Sequence, residues 1–150
     1  RPLENPLIDA ELRQSRRRAG IDLVSIHEPD AVRTAIRHLR AGGVLCLFAD
    51  QRWATGEPRP LFGQPALTTL SAGLLQRATD ARVSMLVHRR TGEATQPFEA
   101  VLEALPFDMQ PQDGSRDRGR SIMTAFNARL EDWVRAHPDS WFWMQDRWKP

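Results

Sequence analysis

A largely polar block between residues 50 and 69 has the residue types of a substrate site. Its members, in chain order, are Asp50, Gln51, Phe62, Gly63, Thr68 and Thr69. Asp50 directly follows the apolar run 44–48, and the two threonines stand at the start of a helical pattern. In open α/β sheets, polar groups collect where the carboxyl end of a strand meets the N-terminus of the next helix. The block therefore predicts a site at such an edge, built from carboxylate, amide and hydroxyl groups.

Alternating helix and strand patterns are needed to position that block, and they predict an α/β fold. We expect helices from Asn5-Pro6 to about Ala19, from Asp30 to Arg40, from Thr68 to about Asp80 and from Ser121 to Ala136. We expect strands at 21–26, 44–48, 82–88 and 96–102, and a long irregular connection over residues 49–65. The last two strands flank Thr91-Gly92, which indicates a hairpin turn. The sheet is thus expected to be mixed and largely parallel, flanked by helices.

The composition is notable for its single cysteine and for its bias towards arginine. The chain has 150 residues, one domain's worth, with a single cysteine, Cys46, so that no internal disulfide can form. Lys149 is the only lysine, and every other basic residue except histidine is arginine. Arginine grips phosphate with two parallel hydrogen bonds. This bias fits two origins, which the sequence leaves open: a genome-wide compositional preference and contact with phosphorylated lipid headgroups.

Four further segments accompany the polar block in a fixed order: residues 1–9, 87–90, 137–143 and 147–149. The first contains Arg1-Pro2 and Asn5-Pro6, and the last reads Arg-Trp-Lys. In this order the five segments resemble the lipid A biosynthesis acyltransferases, a branch of the lysophospholipid acyltransferase superfamily. The chain departs from the family pattern at Ala49, where a proline is usual, and at Gln145-Asp146, where His-Arg is frequent.

The resemblance implies a reaction and a fold. Members transfer a fatty acyl group from an acyl carrier protein thioester to a hydroxyl of a lipid A precursor. They need no cofactor, no metal ion and no covalent enzyme intermediate. A histidine of a His-x4-Asp/Glu motif, located before the Asn-Pro segment, is the general base. We therefore expect residues 1–150 to form one acyltransferase domain that is the C-terminal portion of a glycerolphosphate-acyltransferase-like fold, with the base in a preceding segment. An inactive fragment is the alternative.

One internal pair matches the spacing of that motif. His88 and Glu93 read His-x4-Glu, but they follow the Asp50 block and include the predicted Thr91-Gly92 turn. Such a spacing is also common by chance among so many acidic residues. We therefore do not assign this pair as the catalytic pair.

The resemblance also implies roles for individual residues. Arg1 is assigned as a stabiliser of the oxyanion or of an acceptor phosphate, and Asp50 as a catalytic residue that orients the acceptor or braces the site. Substrate-binding roles fall to Asn5, Gln51, Phe62, Gly63, Thr68 and Thr69. Simpler structural roles remain open for some of them. Asn5 fits a helix N-cap, Asp50 a loop cap, and the two threonines the start of a helix.

The expected partners are acyl carrier protein, a lipid A precursor and an anionic membrane surface at the cytoplasmic face of the inner membrane. Two basic or aromatic segments would serve the membrane contact: the arginines at 13 and 16–18, and the tail Trp141–Lys149. The competing class is a nucleic-acid-binding module, because the sequence pI is about 9.4. Since the arginines are scattered and no recognition motif is present, we predict no nucleic-acid partner.

Overall fold

The computed structural model describes residues 4–25, 29–110 and 112–148. The chain divides into two compact units, Arg1–Leu45 and Cys46–Pro150. The prediction of a single acyltransferase domain over residues 1–150 stays a prediction.

Where the structure describes the first unit, it has two helices, α1 (Pro6–Arg18) and α2 (Ala31–Arg40). α1 begins at Pro6 because the Asn5 side chain accepts a hydrogen bond from the Leu7 N–H at 3.0 Å. It ends before Gly20, whose φ of 76° closes the last turn. Both helices confirm the sequence prediction. The strand predicted at 21–26 is not observed over residues 21–25, which are largely exposed, and residue 26 lies outside the described residues.

The described residues of the second unit form four strands and two helices. In chain order they are β1 (Glu57–Leu61), β2 (Gln64–Thr68), α3 (Ser71–Thr79), β3 (Ser84–Arg90), β4 (Phe98–Ala104) and α4 (Ser115–Ala136), followed by a 3-10 turn at Pro138–Ser140. β1 pairs with β2, and β3 pairs with β4, both in antiparallel register. The predicted mixture of helices and strands is confirmed, as is the hairpin around Thr91-Gly92.

The largely parallel sheet is not seen, because both sheets formed by the described residues are antiparallel pairs. Residues 44–48 form no strand, and Val44 and Phe48 are exposed. A continuous apolar run is typical of a strand covered on both faces, but the run does not specify which strands cover it. Residues 49–65 were predicted to be irregular, yet they contain β1 and the start of β2. Three prolines in this hairpin caused that error, because proline usually interrupts strands.

α4 lies at the centre of the second unit. The buried apolar cluster of this unit consists of four residues of α4, Ile122, Met123, Leu130 and Val134, together with Leu61, Ala66, Met85, Leu105 and Trp141. Ile122, Met123 and Leu130 form the buried face of this helix, with Phe126 and Trp133 half-buried beside it. α3 packs closely on α4 at Gly73 and Gly119, where an added Cβ would overlap the backbone or side chain of the neighbouring helix. Within the described ranges, none of the helices combines the length and the hydropathy that crossing a bilayer requires.

Candidate active site

The two-residue turn between β1 and β2 is strained and held by distant residues. Phe62 has φ 52° and Gly63 has φ 72°, the left-handed pair that a tight hairpin turn requires. For Phe62 this conformation costs about 1–2 kcal/mol. The Phe62 N–H donates a 2.5 Å hydrogen bond to Glu131 Oε1 on α4. Because α4 supplies this bond, the turn conformation is fixed by tertiary structure rather than by local preference.

The Phe62 side chain belongs to an aromatic cluster. Its ring centre lies 6.1 Å from that of Trp141 and 6.4 Å from that of Trp148. The Arg135 guanidinium lies 5.1 Å from the Phe62 ring centre and pairs with Glu131 at 3.5 Å. Ring contacts of this kind each contribute about 0.5–1.5 kcal/mol. They account for how a strained phenylalanine is retained at this position.

The C-terminal segment runs along the β1–β2 hairpin. The Leu67 N–H donates to the Arg147 carbonyl at 3.3 Å, and Trp148 Nε1 donates to the Leu61 carbonyl at 3.1 Å. Arg147 therefore lies at the Thr68 end of the hairpin and Trp148 at the Phe62 end. This segment places two residues that are adjacent in sequence at opposite ends of the predicted site.

Arg147 is fully buried and connects two of the predicted site residues. Its Nη1 donates to the Asp50 carbonyl at 2.8 Å, and its Nη2 donates to Thr68 Oγ1 at 2.9 Å. Burial lowers the pKa of Arg147, and the negative charge of Asp50 partly opposes that effect. Asp50 and Thr68 thus meet through a buried guanidinium.

The loop that carries Asp50 and Gln51 has weaker anchors as well. The Arg52 N–H donates to Gln145 Oε1 at 3.4 Å, and the Trp53 N–H donates to the Leu67 carbonyl at 3.3 Å. Asp50 is half-buried, whereas Gln51 is exposed. The structure therefore fixes the backbone here and leaves the Gln51 amide in contact with solvent.

The remaining predicted residues do not gather at one point. Gly63 directly precedes β2 and Thr68 is its last residue, so the two lie about 16 Å apart at ~3.3 Å per residue. Thr68 belongs to β2 and not to the helix that was predicted to begin there. Its hydroxyl donates to the Ala66 carbonyl at 2.9 Å. Thr69 does serve the helix start, since its Oγ1 accepts from the Ser71 N–H at 3.3 Å.

Two predicted residues belong to the first unit. Asn5 is exposed and caps α1, which confirms its structural role and leaves its substrate role a prediction. Arg1 lies outside the described residues, so the role assigned to it also stays a prediction.

The His88–Glu93 spacing lies on the other hairpin. His88 is in β3 opposite Ala100, and Glu93 is in the turn, where its N–H donates to Thr91 Oγ1 at 3.1 Å. His88 lines a cleft of about 270 Å³ with Trp133 and His137. The described part of the chain contains no group of three or more His, Cys, Asp or Glu side chains placed to hold a metal ion.

The sequence did not single out Arg147, Glu131 or Gln145 as residues of this site. Arg147 was expected at a membrane-facing tail beside the tryptophans, but it is fully buried. The available signal was its place in the Arg-Trp-Lys segment, which supported the resemblance without indicating a partner. Among the tryptophans of this tail, Trp141 is buried and Trp143 is exposed.

The comparison with family models gives a match over the whole chain. The model described as bacterial lipid A biosynthesis acyltransferase matches residues 1–150. No curated protein matches the chain.

Proposed function

The chain belongs to the bacterial lipid A biosynthesis acyltransferase family, and we propose that it transfers a fatty acyl group from an acyl carrier protein thioester to a hydroxyl group of a lipid A precursor. Acyl transfer follows from the family. The carrier-protein donor is the proposal, and the match over all 150 residues is the observation that supports it.

The proposed reaction forms one ester bond and breaks one thioester bond. The acceptor hydroxyl attacks the thioester carbon and loses its proton to a general base, and the carrier thiolate leaves and takes up a proton. The base in this proposal is the histidine of a His-x4-Asp/Glu motif upstream of Asn5-Pro6. General-base catalysis of this kind increases the reaction rate roughly 10²–10⁴-fold. Arg1 is the proposed stabiliser of the developing oxyanion or of an acceptor phosphate.

The second unit supplies the groups that would orient the acceptor. Asp50 is half-buried on a backbone fixed by Arg147, and Gln51 beside it is open to solvent. A carboxylate and an amide in this arrangement suit the hydroxyl and amide groups of a sugar headgroup. Phe62 and Gly63 would shape the acceptor cleft. This assignment makes Asp50 a catalytic residue whose backbone carbonyl, rather than its carboxylate, binds Arg147.

The proposed membrane contact has a more restricted location than the sequence indicated. Phe142, Trp143 and Met144 are exposed one after another, Met144 by 86%. The Trp143 indole N–H already donates to the Pro138 carbonyl at 2.6 Å, so insertion would not desolvate an unbonded donor. We propose that this surface, called the Phe142–Met144 surface, contacts the cytoplasmic face of the inner membrane.

Activity of the complete natural protein tests the proposed reaction. With acyl carrier protein thioester and a lipid A precursor, we expect acyl transfer that Asp50→Ala reduces at least about tenfold. Thermal denaturation should show a fall in melting temperature too small to account for that loss of activity, because Arg147 binds the backbone carbonyl of Asp50, which the substitution retains. Asp22→Ala is the matched control, since its side chain is 90% exposed and its nearest arginine nitrogen lies 3.8 Å away.

Two results would contradict this assignment. A large fall in melting temperature at unchanged activity per folded molecule would make Asp50 structural. Activity lost on His88→Ala in a preparation of residues 1–150 alone would place the general base on β3.

Vesicle binding tests the membrane partner. We expect Trp143→Ser to weaken co-sedimentation with anionic vesicles, including at high salt, because apolar insertion resists salt. Leu102→Ser is the control, since Leu102 is an exposed apolar residue elsewhere in the same unit. We expect any oligonucleotide binding to be non-specific, with an affinity that falls steeply as the salt concentration rises. Tight oligonucleotide binding at physiological salt, without vesicle association, would favour the nucleic-acid alternative.

A further inference from the structure

Burial of the Arg147 guanidinium costs more folding free energy than a purely structural bridge would require. Its side chain is fully buried, and its hydrogen-bond acceptors are a neutral carbonyl and a neutral hydroxyl. Its Nε is also buried and has no hydrogen-bond partner among the described residues. Burying a charge without a directly bonded counter-charge is costly, and an apolar residue of similar volume often serves stability as well or better. Stability alone therefore does not account for a guanidinium at this position.

The contacts of Arg147 converge on Asp50 and its loop. The Arg147–Asp50 bond joins residues 97 positions apart, and the Arg147–Thr68 bond joins residues 79 positions apart. The bond to the Asp50 carbonyl is charge-assisted and 2.8 Å long, whereas the neutral bonds to Arg52 and Trp53 are 3.4 and 3.3 Å long. Charge-assisted bonds are roughly twice as strong as neutral ones. Arg147 is therefore the strongest of these anchors of the loop.

We propose that Arg147 is a positioning residue for acyl transfer: it fixes the Asp50 backbone against Thr68 and so sets where the Asp50 carboxylate meets the acceptor. The inference rests on the proposed function for the role of Asp50, but the bridge itself is independent of that role. Arg147 contacts no reacting atom in this proposal, and its fully buried side chain leaves no surface for the acceptor.

A double-mutant cycle in the complete natural protein tests the kinetic part. Arg147→Met should lower kcat/KM for the acceptor by roughly 10- to 100-fold, since small misplacements of a catalytic group have effects of this size. Asp50→Asn should lower it at least as much. Because Arg147 acts through Asp50, the double variant should be no worse than Asp50→Asn alone. Losses that multiply, or a loss under about twofold for Arg147→Met, would overturn the proposal.

Hydrogen exchange gives a readout that does not depend on the reaction. In Arg147→Met, amide exchange should accelerate across residues 50–53 and stay unchanged in β3 and β4. Unchanged exchange at residues 50–53, or an equal increase everywhere, would overturn the bridge. If the wild type shows no acyl transfer with the named substrates, the proposed function fails while this measurement still decides the bridge.

Arg147→Lys keeps the proposal testable if Arg147→Met does not fold. Lysine retains the charge but cannot offer the two-nitrogen fork that reaches both Asp50 and Thr68. We expect a melting temperature nearer to the wild type, with exchange at residues 50–53 still faster and acceptor kcat/KM still reduced. Full restoration of both would show that charge alone suffices and would overturn the positioning role of the fork.

Discussion

The two hairpins of the second unit are supported in different ways. In β1–β2, Leu61, Ala66 and Thr68 are completely buried. In β3–β4, Met85 is the buried strand residue, while Leu86 and Leu102 face each other across the pair and are exposed. The first hairpin is part of the core, whereas the second hairpin contributes one face to the core and exposes the other.

Ion pairs occur in both hairpins, since Glu57 in β1 pairs with Arg116 and Arg120, but the other polar contacts differ. Side chains from distant segments bind backbone carbonyls of the first hairpin: Asn127 Nδ2 donates to Pro60 at 2.9 Å, and Trp148 Nε1 donates to Leu61 at 3.1 Å. The second hairpin is supported by ion pairs at its surface, Arg89–Glu99 at 2.6 Å and Arg129–Glu103 at 2.7 Å. Exposed ion pairs contribute about 0–1 kcal/mol. Directional bonds to backbone, in contrast, fix the position of a strand.

This difference indicates which hairpin is built to hold a geometry. A strained turn persists only when its surroundings determine it, and such turns cluster at functional sites. Phe62 is held in this way by Glu131, whereas the turn around Gly92 lies among exposed residues. We therefore regard β1–β2 as the scaffold of the site and β3–β4 as a supporting layer.

The largest expected effect comes from truncating a leucine in each hairpin. Leu61→Ala should destabilise the protein by about 2–5 kcal/mol, because a fully buried side chain leaves a cavity. Leu86→Ala should cost under about 0.5 kcal/mol, because that side chain is 59% exposed. Chemical denaturation measures both. Equal losses would remove the distinction between a core hairpin and a covering hairpin.

Glycine substitutions in the two turns should give an intermediate effect. Gly63 and Gly92 have φ of 72° and 81°, and an added Cβ would meet no atom within 4 Å at either position. The cost of alanine is thus backbone strain alone, about 1–2 kcal/mol in both turns. We expect Gly63→Ala to lower acyl transfer per folded molecule and Gly92→Ala to leave it unchanged. The same activity in both variants would argue against a cleft at Phe62-Gly63.

Local signals made much of the fold predictable. Asn5-Pro6 and Gly20 bracket α1, and the spacing of Ile122, Met123 and Leu130 gives α4 its buried face. Hairpin β3–β4 followed from its turn residues. These features depend on residues close together in the sequence, where capping, periodicity and turn chemistry act directly.

Features that depend on distant contacts were not predictable in the same way. The apolar run 44–48 does not specify which segments pack against it. The prolines of β1–β2 argued against a hairpin, which hydrogen bonds from Asn127 and Trp148, distant in sequence, stabilise. Arg147 illustrates the same limit within the site. Beside three tryptophans its sequence context is typical of a membrane interface, and only the fold reveals its contact with Asp50.

The smallest expected effect concerns the carboxylates of the two hairpins. Glu57 in β1 accepts hydrogen bonds from Arg120 at 2.9 Å and from Arg116, and its side chain is 18% exposed. The hydrogen bond from Arg120 is the main cause that lowers the pKa of Glu57, although desolvation opposes it. Glu99 in β4 pairs with Arg89 and is 40% exposed.

A lowered pKa determines how stability should depend on pH. Glu57 stabilises the folded state above its unfolded pKa of about 4.3, and this contribution is lost as the pH falls through the lower folded value. Glu57→Gln should therefore lower the melting temperature by a few degrees at pH 7 and by progressively less below about pH 4. Glu99→Gln should change it less at pH 7, because its pair is more exposed. Melting curves from pH 7 to pH 3 give the difference in melting temperature between each variant and the wild type. A difference for Glu57→Gln that stays constant with pH would refute the ionic origin of this contact.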